Sequence, residues 1–92
     1  MKLSIIIPAY NEEQTIVGLI PKILSAQLPE NVSREIIIVD DGSTDGTRKI
    51  INDFLPNHTI QLYHQENAGK SAAVLHGIAK ATGDIILIQD AD

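Results

Sequence analysis

The sequence has no cysteine. Disulfides and thiolate metal sites are therefore excluded, which fits a reducing, cytoplasmic compartment. Excess positive charge is also missing: 7 Lys and Arg stand against 12 Asp and Glu, for a net charge of −5. Nucleic acid and anionic membrane surfaces both demand a basic patch, so neither is expected as a partner. The longest apolar runs, residues 5–7, 36–39 and 85–88, are far too short to span a bilayer. Met1-Lys2-Leu3 leads straight into a strand-like run, so no signal peptide is read. There is no internal repeat, low-complexity stretch or linker. The 92 residues suit one small domain spanning residues 1–92, and a hydrophobic content of 43% argues against disorder.

What is present is ordered. Strand-like runs at residues 3–8, 35–40, 59–64 and 84–89 alternate with stretches of helical period. Three of the four runs are continuously apolar, the pattern of strands buried on both faces of a parallel sheet. The intervening helices carry Ile16, Ile20, Ile23 and Leu24, then Ile50, Ile51 and Phe54, then Val74, Leu75 and Ile78 on their apolar faces. The order βαβαβαβ predicts an α/β fold: an open, mostly parallel sheet with flanking helices and right-handed crossovers. Ser43 or Thr44 is expected to cap the second helix, and Gly83 to end the third. Pro21 falls inside the first helical pattern, where a bend or break is expected.

The acids gather at turns: Asp40, Asp41, Asp45, Asp90 and Asp92. Ligands of open α/β sheets collect beyond the carboxyl ends of the strands. Three polar clusters sit at such ends: Pro8-Ala9-Tyr10-Asn11-Glu12, Asp40-Asp41-Gly42-Ser43, and Asp90-Ala91-Asp92. In an extended segment Asp90 and Asp92 point to one side. Their hard oxygens suit Mg2+ or Mn2+, which complete their shells with water and diphosphate oxygens. The plainer reading is two solvated acids, because an isolated D-x-D is a weak motif. Asp41 can only accept hydrogen bonds, so it favours a base offering ring N–H groups, uracil or guanine, over adenine. Its loop would serve equally well as a turn with a cap. Tyr10 can pack on a base or ribose and Glu12 can accept from a hydroxyl, although acids also suit a helix start.

Two nucleotide motifs fail. The first loop lacks G-x-G-x-x-G, which removes a dinucleotide-binding reading. Asn67-Ala68-Gly69-Lys70-Ser71 has the end of a P-loop, but its first glycine would fall at position 64, which is His64. Lys70 could still meet phosphate or base at the edge of a pocket. His58, His64 and His76 show no ligand spacing and receive no role.

Taken together, SIIIPAYNEE, EIIIVDDGSTDGT, ENAGKSAAVLHGIAKATGD and IILIQDAD resemble the family 2 glycosyltransferases of GT-A fold, with polyprenol-phosphate (dolichol-phosphate) sugar synthases the nearest in pattern. The resemblance covers essentially the whole chain and implies a Rossmann-like N-terminal half of a GT-A domain, stopping at the D-x-D motif. It implies that Pro8, Tyr10, Glu12, Val39 and Asp41 surround the nucleoside, with Asp41 on the base. It implies that Asp90, Ala91 and Asp92 contact ribose, diphosphate and metal, with Asp92 the direct ligand and Lys70 lining the nucleotide pocket. The reaction so implied is inverting, metal-dependent transfer from a UDP- or GDP-sugar to an acceptor. In the synthases that acceptor is a polyprenyl phosphate at the cytoplasmic face of a membrane. Such enzymes carry their catalytic base beyond the position of residue 92, so the isolated chain is expected not to turn over. Strand 85–88, left uncovered, is expected to promote self-association. The competing readings are a P-loop-like NTPase, opposed by His64, and a phospho-receiver-like module, whose acid pair would follow the first strand. A sugar-1-phosphate nucleotidyltransferase would begin with a glycine-rich basic loop, which PAYNEE is not.

Overall fold

The computed structural model describes residues 1–91. Four strands, β1 (Lys2–Ala9), β2 (Ser33–Asp40), β3 (Ile60–His64) and β4 (Ile85–Ile88), alternate with helices α1 (Glu13–Ser25), α2 (Thr47–Phe54) and α3 (Lys70–Lys80). The sheet order is β3-β2-β1-β4 and every pairing is parallel. The expected open α/β sheet is therefore the observed one.

The strands form because runs such as Ile5-Ile6-Ile7 and Ile36-Ile37-Ile38 give both sheet faces something to bury. Ile7, Ile36 and Ile38 pack with Ile16, Ile20 and Ile51 of α1 and α2, all within 0% exposure. On the other face Ile6, Ile37 and Val39 meet Ala73 of α3. Each fully buried isoleucine contributes roughly 1.5–3 kcal/mol, so the two central strands carry most of the core.

Four expectations are corrected. Of the bend or break expected at Pro21, the break does not occur: α1 runs on to Ser25. Its ring is exposed, so the lost backbone bond lies on the solvent side, and the Arg34 guanidinium donates to the Ile23 and Ala26 carbonyls at the helix end. Neither Ser43 nor Thr44 caps α2; the N-cap is Gly46, and Asp45 accepts from Thr47 N at 2.9 Å. Gly83 lies beyond the α3 C-cap, Ala81. It is glycine because a Cβ would stand 2.5 Å from Ser4 Oγ and 2.8 Å from the Lys2 carbonyl. α3 buries Ala73 and Gly77, and leaves Leu75 67% and Ile78 39% exposed. Small residues let α3 lie close on the sheet, which turns its larger side chains outward. β4, by contrast, is uncovered as expected: Ile85, Ile86, Leu87 and Ile88 are 41–46% exposed at the sheet edge.

Glu35 is a buried carboxylate that the sequence reading did not single out. Ser4 Oγ donates to it at 2.5 Å, Thr82 N at 2.7 Å and Gln61 Nε2 at 3.1 Å, with Lys2 Nζ 3.4 Å away. Burial opposes its charge. The hydrogen bonds from Ser4 and Thr82, with Lys2 nearby, outweigh burial and lower its pKa to about 2.

Candidate functional site

From β1 the chain crosses to β2 and β3 on one side, then returns to place β4 on the other. The connections diverge between β1 and β4, so a crevice opens at the carboxyl ends of these strands. A cavity of about 290 Å3 lies there. Its walls include Pro8, Ala9, Tyr10 and Glu12 after β1, and Asp41 after β2. Asn67, Gly69, Lys70 and Ala73 close it from the start of α3, and Asp90 and Ala91 from the end of β4. Pro8, Tyr10, Glu12, Asp41, Lys70, Asp90 and Ala91 are thus brought together. Val39 is not: it is 0% exposed, in the core beneath. Asp92 lies outside the described residues.

Asp41 organises the wall. Its Oδ1 accepts from Gln65 Nε2 at 2.9 Å and Ala68 N at 2.8 Å. Its Oδ2 accepts from Gly69 N at 3.0 Å and, more weakly, from Asn67 Nδ2 at 3.3 Å. Asp41 is 4% exposed. Burial works against the charge, but the donors from Gln65, Ala68 and Gly69 outweigh it and hold the carboxyl below the usual range. Gly42 makes this closeness possible: its φ is +77°, and a Cβ would lie 2.8 Å from Asn67 N. The Ala68 and Gly69 amides, two of those that a P-loop would offer to phosphate, are here committed to Asp41. A receiver-like order would set β1 beside β3, yet β1 pairs with β2 and β4.

The first loop is stitched to the second by Asn11, whose φ of 52° suits asparagine better than most residues. Asn11 N donates to Ser43 Oγ at 3.0 Å, and Asn11 Oδ1 accepts from Thr44 N at 2.8 Å. Glu12 N donates to Thr47 Oγ1 at 2.9 Å. Asp45, despite some desolvation, is also held below the usual carboxylate range, chiefly by Thr47. This leaves Tyr10 45% exposed at the cavity lip. Asp40, 1% exposed, stays behind the wall; it accepts from Ser43 N at 3.2 Å and lies 3.3 Å from Arg48 Nε. Sequence reasoning missed Asn11, Gln65 and Asn67 as organisers. The positive φ that asparagine tolerates was the available signal for Asn11; Gln65 offered none.

Across the cavity, Lys70 pairs with Asp90, whose side chain is 50% exposed. No group of three or more His, Cys, Asp or Glu able to hold a metal occurs among the described residues. Mg2+ and Mn2+ need only one or two carboxylates and fill the shell with water and substrate phosphate. Asp90 supplies such an oxygen beside the cavity. No helix among the described residues is long and apolar enough to cross a membrane.

A parallel 3-2-1-4 sheet with an acid-lined crevice at its switch point is a Rossmann-like α/β architecture. Residues 4–92 match Glycosyl transferase family 2, and the chain belongs to that family. It is 38% identical over 91 residues to a poly-beta-1,6-N-acetyl-D-glucosamine synthase of Staphylococcus epidermidis, covering 98% of this chain and 21% of that protein. It is 33% identical over 94 residues to an undecaprenyl-phosphate 4-deoxy-4-formamido-L-arabinose transferase of Proteus mirabilis, covering 99% and 29%. Among solved structures, S. aureus TarS in complex with UDP-GlcNAc superposes with a TM-score of 0.88 at 29% identity, covering 100% and 27%. The mannosyltransferase PcManGT from Pyrobaculum calidifontis, in complex with GDP-Man and Mn2+, gives 0.86 at 32%, covering 98% and 27%. The chain thus spans under a third of the length of these relatives.

Proposed function

We propose that this chain binds the nucleoside diphosphate of a UDP- or GDP-sugar and forms the donor site of an inverting glycosyltransferase. The observation that carries this reading is the convergence of Tyr10, Asp41, Lys70 and Asp90 on one cavity at the switch point. The nucleotide-sugar complexes of TarS and PcManGT support it. Tyr10 packs against the base or ribose. A ring N–H of uracil or guanine takes the place of the Asn67 amide at Asp41 Oδ2, the longest of the four contacts there; adenine has no such donor. Asn67 keeps its 3.1 Å bond to the Asp41 carbonyl, so the exchange leaves no orphaned amide in the loop. Lys70 turns from Asp90 towards the diphosphate, freeing that carboxylate.

Asp90 and Asp92 would hold Mg2+ or Mn2+, which stabilises negative charge on the leaving diphosphate. Mn2+ in the PcManGT complex supports this assignment. The acceptor in this proposal is a polyprenyl phosphate, a reading supported by the undecaprenyl-phosphate relative, and its approach from the cytoplasmic face is proposed with it. The isolated chain pairs with a second copy along β4, whose outer edge is unpaired among the described residues and whose four residues are apolar.

Amide chemical-shift mapping with UDP and GDP tests the donor site. Perturbations should cluster at Tyr10, Gly42, Gly69, Lys70 and Ala91. A cluster around Lys2, Asn31 and Asp84, at the opposite sheet edge, would refute it.

A further inference from the structure

We propose that His76, acting through Gln65, fixes the orientation of the Asp41 carboxylate and is a positioning residue for base recognition. The proposal rests on the donor-site reading and adds to it a side chain outside the cavity wall.

His76 Nδ1 lies 2.9 Å from Gln65 Oε1, and Gln65 Nε2 donates to Asp41 Oδ1 at 2.9 Å. The sense of this chain is fixed from its acidic end. Ionised Asp41 can only accept, so Gln65 must turn its NH2 towards it and its carbonyl towards His76. His76 must then carry a proton on Nδ1. The neutral Nδ1–H tautomer and the imidazolium both satisfy this, whereas the neutral Nε2–H tautomer would set a lone pair against Oε1. With a bare nitrogen there, the Gln65 amide is driven to flip and oppose its own carbonyl to Asp41. A donor at Nδ1 therefore selects the one amide orientation that holds Oδ1 in place. With Oδ1 held by Gln65 and Ala68, Oδ2 and its longer Asn67 contact are left for an incoming ring N–H.

The ring itself is anchored. His76 is half-buried on α3, with its centroid 5.7 Å from that of Tyr63 and the planes at 46°. Lys80 Nζ lies 5.2 Å from the Tyr63 centroid, and Tyr63 Oη donates to Gln61 Oε1 at 2.8 Å. These contacts hold α3 and β3 together and allow a rival, purely packing role for His76.

Two substitutions separate the roles. His76→Phe keeps an aromatic ring against Tyr63 and removes the donor. His76→Asn removes the ring and keeps an N–H close to the Nδ1 position. Titration with UDP and GDP should show affinity reduced about tenfold in His76→Phe and restored to within about threefold in His76→Asn, the scale of one hydrogen bond to a charged group. Wild-type affinity in His76→Phe, or no rescue by His76→Asn, overturns the proposal. A second readout needs no nucleotide. Imidazole ¹⁵N shifts of the free chain near pH 8 should show His76 protonated on Nδ1; a neutral Nε2–H form overturns the link to Gln65. If the wild-type chain bound neither nucleotide, the donor-site reading would fail, and this tautomer would still decide the His76–Gln65 contact.

Discussion

Glu35 and Asp41 lie near opposite ends of one strand, and each is a buried carboxylate kept ionised by donors from distant parts of the chain. For Glu35 the consequence is a pH-dependent stability of known sign. Its folded pKa of about 2 lies below the ordinary value of 4.5, so its contribution is complete above pH 4.5 and is lost as pH falls towards 2. The shift corresponds to about 3 kcal/mol. Urea midpoints between pH 5 and pH 2 should fall more steeply for wild type than for Glu35→Gln; parallel curves would show that the charge contributes nothing. Asp41→Asn points an amide NH2 at one of two oxygen positions that now accept backbone N–H groups. It should cost about 1–3 kcal/mol in denaturant unfolding and weaken nucleotide binding as well. An unchanged midpoint would count against the clamp. Asp41 was legible because two consecutive acids at the end of an apolar strand exceed what a turn requires. Glu35 was not, because its partners Ser4 and Thr82 are 31 and 47 positions away and a lone strand glutamate reads as solvent-facing.

The alternation of apolar runs with helical stretches announced the strands and helices, whereas the faces they bury depended on tertiary contacts. α3 illustrates this. Its large residues Leu75 and Ile78 suggested an inward face, yet close approach to the sheet selected the Ala73 and Gly77 side. In α1, local propensity gave way to packing: Ile16 and Ile20, both 0% exposed, keep the helix continuous past Pro21. Restoring the missing donor with Pro21→Ala should therefore raise stability by about 1–2 kcal/mol, the interior proline cost less the unfolded-chain entropy that proline removes. An unchanged or lower urea midpoint would mean that the ring is part of the α1 packing.

At the scale of the molecule, the 3-2-1-4 order explains why residues as distant as Tyr10, Asp41, Lys70 and Asp90 share one cavity. The sequence placed polar clusters at the ends of three strands, and α/β topology puts those ends on one edge. The Gln65 and His76 contacts escaped it because nothing local marks which side chains meet across two elements, and Asn67-Ala68-Gly69 reads as turn chemistry. The same topology leaves β4 at an edge with apolar side chains exposed. Sedimentation should reveal concentration-dependent dimers that Ile86→Lys dissolves; a monomer at all concentrations would contradict the proposed pairing. The donor site itself is tested most directly by isothermal titration of the chain with UDP, GDP and ATP, with and without Mn2+. The expected result is Mn2+-enhanced binding of UDP or GDP in preference to ATP, lost in Asp41→Ala. Preferential binding of ATP, or binding indifferent to Asp41, would contradict it.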